Sequence, residues 1–215
     1  KKISWQYPIV EIVTGLLFLV ITNYQLPITN TISVIYFLFL LYIVSVLIVI
    51  FVYDLKHYII PDKVLFPAIV ITLIFRILDF RNLNLSRLRS RILDFSGFGI
   101  WDLGFWISTP IINYLIASCI ASAFFFLIFM ISGGRWMGFG DVKLAILLGL
   151  LLGFPNILVG LFLSFFFGAI IGVVLIFLKK KGFKSEVPFA PFLIMGTFVA
   201  MFFSDAIIGW YIGFL

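Results

Sequence analysis

The sequence predicts an all-α fold, a polytopic bundle of about seven transmembrane helices forming one domain over residues 1–215. Three observations predict it. Of the 215 residues, 64% are hydrophobic and only 11% are charged, where a soluble domain carries about 25% charged residues. Apolar runs near the ~20 residues that cross a bilayer recur along the chain. No polar stretch is long enough to build a separate soluble domain.

The first run extends from Pro8 to about Leu26, and the second from about Ile32 to Tyr53. The third covers about Val64 to Leu78, and the fourth Pro110 to Ile131. The fifth, Val142 to Gly153, is short. The sixth runs from Asn156 to Leu178, and the seventh from Val187 to about Ile212. The connections are short except residues 79–109. Within that segment, SRLRSRILDF reads either as an amphipathic helix lying in the membrane interface or as a solvated loop. Two series of small residues recur every four positions: Gly149 and Gly153, then Ser164, Gly168 and Gly172. That spacing places each series on one helix face, where small residues let helices pack closely.

The net charge of +6 is scattered through short loops. Nucleic acid is therefore not an expected partner; basic loops in a membrane protein report topology and contact with anionic lipid headgroups. With the N-terminus inside, the inner segments hold Lys1, Lys2, Lys56, Lys63, Arg135, Lys143, Lys179, Lys180, Lys181 and Lys184. The outer side holds Arg81, Arg87, Arg89 and Arg91, with Arg76 near the outer interface. The excess of inner bases selects this orientation despite the Arg-rich third loop. The single Cys119, inside an apolar run, offers no disulfide and no cysteine metal site; it reads as a small core residue.

Two acids stand out. Asp54 ends the second run in VYDLKHYIIPD, and Asp141 opens the fifth in GFGDVKL. The topology puts both at the inner membrane boundary, at one depth. Two carboxylates close together in a poorly hydrated place share a proton near neutral pH and titrate as a unit. Such a pair supplies a general base for water and a general acid for a peptide carbonyl, the logic of aspartic proteolysis. Gly138 and Gly140 would let backbone approach a substrate strand closely. The structural alternatives are a helix N-cap for Asp141 and a helix-end residue for Asp54. The latter fits poorly, because a carboxylate is unfavourable against the negative C-terminal end of a helix.

Here the residues resemble a known family. YDLKHYIIPD is similar to the first aspartate motif of the type IV prepilin peptidases, bacterial GxGD membrane aspartic proteases, and GFGDVKL is similar to the second. ISWQYPIVEIVTG (residues 3–15) and VPFAPFLIMG (187–196) resemble two further family blocks. The resemblance implies that Asp54 and Asp141 are the catalytic pair. It implies cleavage of prepilins or pseudopilins after a Gly that closes a short basic leader, at the cytosolic face of the bacterial inner membrane. Family members commonly also methylate the new N-terminus. In those members a first span and a cysteine-containing cytosolic domain precede the block that begins here at ISWQYP. The sequence also has no CxxC pair and no glycine-rich nucleotide fingerprint. This puts methyltransferase activity of these 215 residues in doubt. S-adenosylmethionine is expected only if such an N-terminal region belongs to the full-length protein.

Asp62, after Pro61, is either a helix cap or a support for the site. Lys143 either tunes the pair electrostatically or snorkels to the interface. His57, the only histidine, is interfacial, and no metal site or cofactor is expected for the hydrolysis. Glu11 lies one turn into the first run and either faces the site or not; intramembrane acids are rarely idle. Asp205 falls near the outer face. Two other functions compete. A presenilin-like or signal-peptide-peptidase-like GxGD protease suits YD and GFGD, but its late Pro-Ala-Leu motif is absent. An ion-coupled transporter would place acids near the midplane, on broken helices, rather than at one boundary.

Overall fold

The computed structural model describes residues 6–25, 31–78, 110–177 and 188–213. Among them are seven helices: α1 (Gln6–Gln25), α2 (Thr31–His57), α3 (Asp62–Ile77), α4 (Pro110–Ser132), α5 (Phe139–Leu152), α6 (Asn156–Phe177) and α7 (Ala190–Ile212). No strand occurs among the described residues. The SRLRSRILDF segment and the rest of residues 79–109 lie outside them.

Four helices, α2, α4, α6 and α7, are long and apolar enough to cross a bilayer by themselves. The chain is a multi-pass membrane protein. The other three helices depart from the seven-span expectation in length. The apolar stretch of α1 is only Val10–Asn23, α3 has 16 residues and α5 has 14. At 1.5 Å per residue α5 is about 21 Å long, short of a ~30 Å hydrocarbon core.

That short helix is the centre of the bundle. It packs on α3, α4, α6 and α7, and most of its side chains are buried. Around it α1 packs on α2, α2 on α3 and α7, and α6 along α7. Small residues let the two most intimate pairs close up. A Cβ at Gly149 would run into the α4 backbone at Ala117–Ser118, and one at Gly196 would run into Gly160 and Ser164 of α6. Gly149 and Ser164 thus act as the four-residue spacing predicts. Gly153 does not: its φ of 70° and ψ of 176° lie in a region open essentially to glycine alone, so it ends α5 rather than packing it. Among the described residues, none comes within 4 Å of a Cβ placed on Gly172.

Cys119 also departs from its reading as a core residue. It is exposed on the outer face of α4, because a helix that is apolar all round carries no periodic signal to separate its core face from its lipid face.

Arg76 has partners that its place in the sequence does not show. Placed by sequence near an interface, it is 6% exposed. Its Nε donates to Leu150 O at 3.0 Å and a terminal nitrogen donates to Leu151 O at 2.6 Å. Its guanidinium lies 3.8 Å from the centre of the Tyr114 ring. Carbonyls at a helix C-terminus lack intrahelical partners and carry partial negative charge, so a buried cation there satisfies both needs.

Candidate active site

The opposite, N-terminal end of α5 faces a cavity of about 430 Å3, within the size range of ligand sites. Helix ends and turns from across the chain meet around it.

Asp54 comes from the last turn of α2. The helix stops at His57, and Tyr58 adopts a left-handed conformation with φ 56°. The Tyr58 N–H donates to Asp54 O at 2.8 Å, which closes the helix in the manner usually taken by glycine. A tyrosine here carries a strain of about 1–2 kcal/mol. The chain then turns through Ile60 and Pro61 into α3.

Asp141 comes from the first turn of α5. Two glycines with positive φ, Gly133 at 58° and Gly134 at 76°, end α4 and reverse the chain. Gly138 is the N-cap of α5 and has no side chain to cap with. The Asp141 carboxylate therefore reaches back to the Gly138 N–H, as the third residue of a capping box does. Asp141 is thus not the N-cap but the third residue of the helix, on the cavity wall.

Asp54 and Asp141 both line the cavity and are 5% and 7% exposed. The backbone N–H of Ala190, at the start of α7, is directed at the Asp54 carboxylate. Among the described residues, Asp54 Oδ2 is buried without a hydrogen-bond partner. Leaving a buried acceptor unsatisfied costs about 1–3 kcal/mol, and a site carries such an atom where a ligand or water is to bind. Asp141 stands just before the apolar run at Val142, outside the four helices that span by themselves. Burial, and then the Asp54 charge beside it, push its pKa up from the ordinary 3.8 to about 7, against the lowering effect of the Gly138 N–H.

Asp62 and Lys143 line the same cavity. Asp62 is not the N-cap of α3; that position is Pro61, and Asp62 is the first helical residue. Its two carboxylate oxygens accept from Lys143 Nζ at 2.9 and 2.8 Å. Lys143 in turn does not snorkel away alone: its ammonium lies 5.3 and 5.5 Å from the Phe66 and Phe139 ring centres.

Gly138 and Gly140 also line the cavity. Gly138 has φ −77° and ψ 150°, open to any residue. A Cβ on Gly140 would meet the Ile60 side chain at 3.2–3.3 Å, so this glycine lets the turn after α2 sit against α5. Glu11 is exposed on α1 and is not among the cavity residues. His57 is exposed, with its ring 4.5 Å from that of Tyr53.

Sequence reasoning missed Tyr58, Arg135, Trp136 and Phe189, all on the cavity wall. The GGRW stretch beside GFGD was the available signal, as a glycine turn carrying a cation and a large aromatic next to an acid. Among the described residues, no three His, Cys, Asp or Glu side chains gather to hold a metal ion.

Comparison with known proteins points the same way. The chain is 29% identical over 210 residues to the prepilin leader peptidase/N-methyltransferase of Aeromonas salmonicida (strain A449), covering 98% of this chain and 62% of that protein. It is 28% identical to the protein of that name from Aeromonas hydrophila, with the same coverage. It is also 28% identical to the one from Bacillus subtilis (strain 168), over 69% of this chain and 60% of that protein. The chain therefore spans about 62% of the length of the first of these relatives. No solved structure matches it significantly. The model of the type IV leader peptidase family matches residues 40–173, a stretch that contains both cavity aspartates. The chain belongs to the type IV leader peptidase family.

Proposed function

We propose that this chain is a membrane aspartic endopeptidase that removes the short basic leader from type IV prepilins or pseudopilins. The observation that carries the proposal is the meeting of Asp54 and Asp141, 87 positions apart in the sequence, as two buried carboxylates on one cavity. The family match does not favour the presenilin-like alternative.

The two acids take different roles. Burial and the neighbouring Asp54 carboxylate raise the Asp141 carboxyl to about 7, so Asp141 is assigned the part of the acid and Asp54 that of the base. Asp54 therefore takes a proton from the attacking water, while protonated Asp141 donates its proton to the scissile carbonyl oxygen. The water oxygen bonds to the carbonyl carbon and gives a neutral diol. Collapse returns one hydroxyl proton to Asp141. The C–N bond breaks as Asp54 passes its proton to the leaving nitrogen. Protons balance, and both acids end as they began. Asp62, Lys143, Gly138 and Gly140 support this arrangement, and no metal or organic cofactor is needed for it. The relatives' name joins an N-methyltransferase to the peptidase; the reaction proposed here concerns the peptidase alone.

The proposed setting is the bacterial inner membrane with the cavity facing the cytosol. Of the five described Lys and Arg residues, Lys56, Lys63, Arg135 and Lys143 belong to the helix ends and turns around the cavity, and cytosolic ends of membrane proteins carry such an excess. The test is incubation of the detergent-purified chain with a panel of prepilins, with the cut located by mass spectrometry. A single cut after the Gly that closes the basic leader is expected. Cuts within the apolar helix instead, or none in any prepilin, would overturn the proposal.

A further inference from the structure

The two cavity aspartates belong to helices whose backbones do not approach closely. No Cα of α2 comes within 8 Å of one in α5. Their spacing depends on the elements that link them, and the connection on one side is short. From Asp54 the chain passes through the left-handed Tyr58 and the buried Ile60. Ile60 sits against Gly140. Two residues later Asp62 begins α3 and accepts both hydrogen bonds from Lys143, two positions beyond Asp141.

We propose that the Asp62–Lys143 ion pair is a positioning strut, tying the first turn of α5 to the start of α3 and thereby holding Asp141 at its working distance from Asp54. This rests on the catalytic reading of the two aspartates. Three features favour it over a surface ion pair of no consequence. The pair is bidentate, 81 residues apart in sequence. The ammonium is also held over two aromatic rings, Phe66 on α3 and Phe139 on α5, so both bridged helices grip it. Finally, it lines the cavity itself. Asp62 is about half exposed, and ion pairs this accessible add little stability. Its value is geometric, because a misplacement of about 1 Å in a catalytic group costs up to about 100-fold in rate. The pairing also directs the Lys143 charge toward Asp62 rather than toward Asp141.

The test is a cycle of Asp62→Asn, Lys143→Gln and the double variant in the full chain. It reads kcat and KM for prepilin cleavage and amide hydrogen exchange over residues 139–143. Each single change should lower kcat about 10- to 100-fold with little change in KM. The double should be no worse than the poorer single, because one link is lost only once. Exchange over 139–143 should rise in all three. Lys143→Arg, which keeps bidentate pairing, should retain kcat within about threefold. The charge-swapped double, Asp62→Lys with Lys143→Asp, should recover part of the loss. Wild-type kcat in either single variant, or losses that multiply in the double, overturn the strut. Asp54→Asn in the same assay separates the two readings. If it still cleaves, the catalytic assignment fails and the strut falls with it. If it is inactive while Asp62→Asn is normal, the strut alone fails.

Discussion

The two ends of α5 are built on opposite principles. At the C-terminal end, Arg76 bonds the Leu150 and Leu151 carbonyls. Just beyond, Asn113 holds the following turn by donating to Phe154 O at 2.8 Å and accepting from its N–H. The polar groups there are matched to partners. At the N-terminal end the cap is a bare glycine, a buried carboxylate oxygen of Asp54 has no partner, and Asp141 is held against its preference for ionisation. One end is satisfied and the other is not, on a helix only 14 residues long. The difference teaches where this molecule spends stability. An unpartnered carboxylate oxygen and a displaced pKa are features expected of a functional site, and the matched end holds the helix in place; the other unpartnered buried oxygen among the described residues, Thr72 Oγ1, lies within α3 and off the cavity.

Mutation at the two ends should therefore separate activity from stability. The largest effect is expected from Asp54→Asn and Asp141→Asn. Each should lower cleavage by at least about 1,000-fold, and the double variant should be no worse than either single, as for groups that act as a unit. Initial rates and a thermal melt of each variant check this; substantial turnover by either single variant would refute the assignment. Arg76→Met should do the reverse. It strips charge-assisted bonds from two buried carbonyls and should cost about 2–3 kcal/mol of stability, with kcat per folded molecule nearly unchanged. A melt unchanged from the wild type would mean that the Arg76 bonds do not hold the C-terminal end of α5.

A pH series sharpens it. The Asp141 carboxyl is raised from 3.8 to about 7 in the folded state. Between those values the unfolded chain has released a proton that the folded chain retains. Stability should then fall as pH rises from about 4 to about 7, and level off above. Cleavage should fall as pH rises through about 7, because the proposed acid loses its proton. In Asp141→Asn the melt should lose most of this slope, and at about pH 8 the variant should melt above the wild type. A wild-type melt that rises across this window would remove the case for a buried, protonated Asp141.

The smallest effects concern the glycines of the GFGD motif. Gly140→Ala must push Ile60 by a few tenths of an ångström and should cost a few-fold in kcat, through the same turn that carries Asp54. Gly138→Ala has room, with no atom nearer than 3.9 Å to its Cβ. It should cost at most about 1 kcal/mol as a poorer N-cap, with activity little changed. An order reversed between the two would mean that backbone freedom at Gly138, rather than close approach at Gly140, is what the motif supplies.

Much of this protein is legible in its sequence, for identifiable reasons. Apolar run length and scarcity of charge are local properties, so the membrane class and the helices follow from them. The departures are small: the seventh run, read from Val187, begins its helix at Ala190. Asp54 and Asp141 are conspicuous because a carboxylate next to a membrane-length run is costly. Which side of a helix faces the core is a different matter. These helices are apolar all round, so Cys119 reads as core yet faces outward. Only packing distinguishes Gly149, pressed on α4, from Gly172, where a Cβ would meet nothing among the described residues within 4 Å. The same limit governs polar partners. Asp62 and Lys143 look like a cap and a snorkelling lysine when each is read against its own neighbours, and nothing beside Arg76 announces a partner. Their true partners lie 74 to 81 residues away. Sequence determines which groups are costly to bury, because that cost belongs to each side chain. The tertiary structure alone decides how the cost is met, because the compensating partner is a matter of three-dimensional distance.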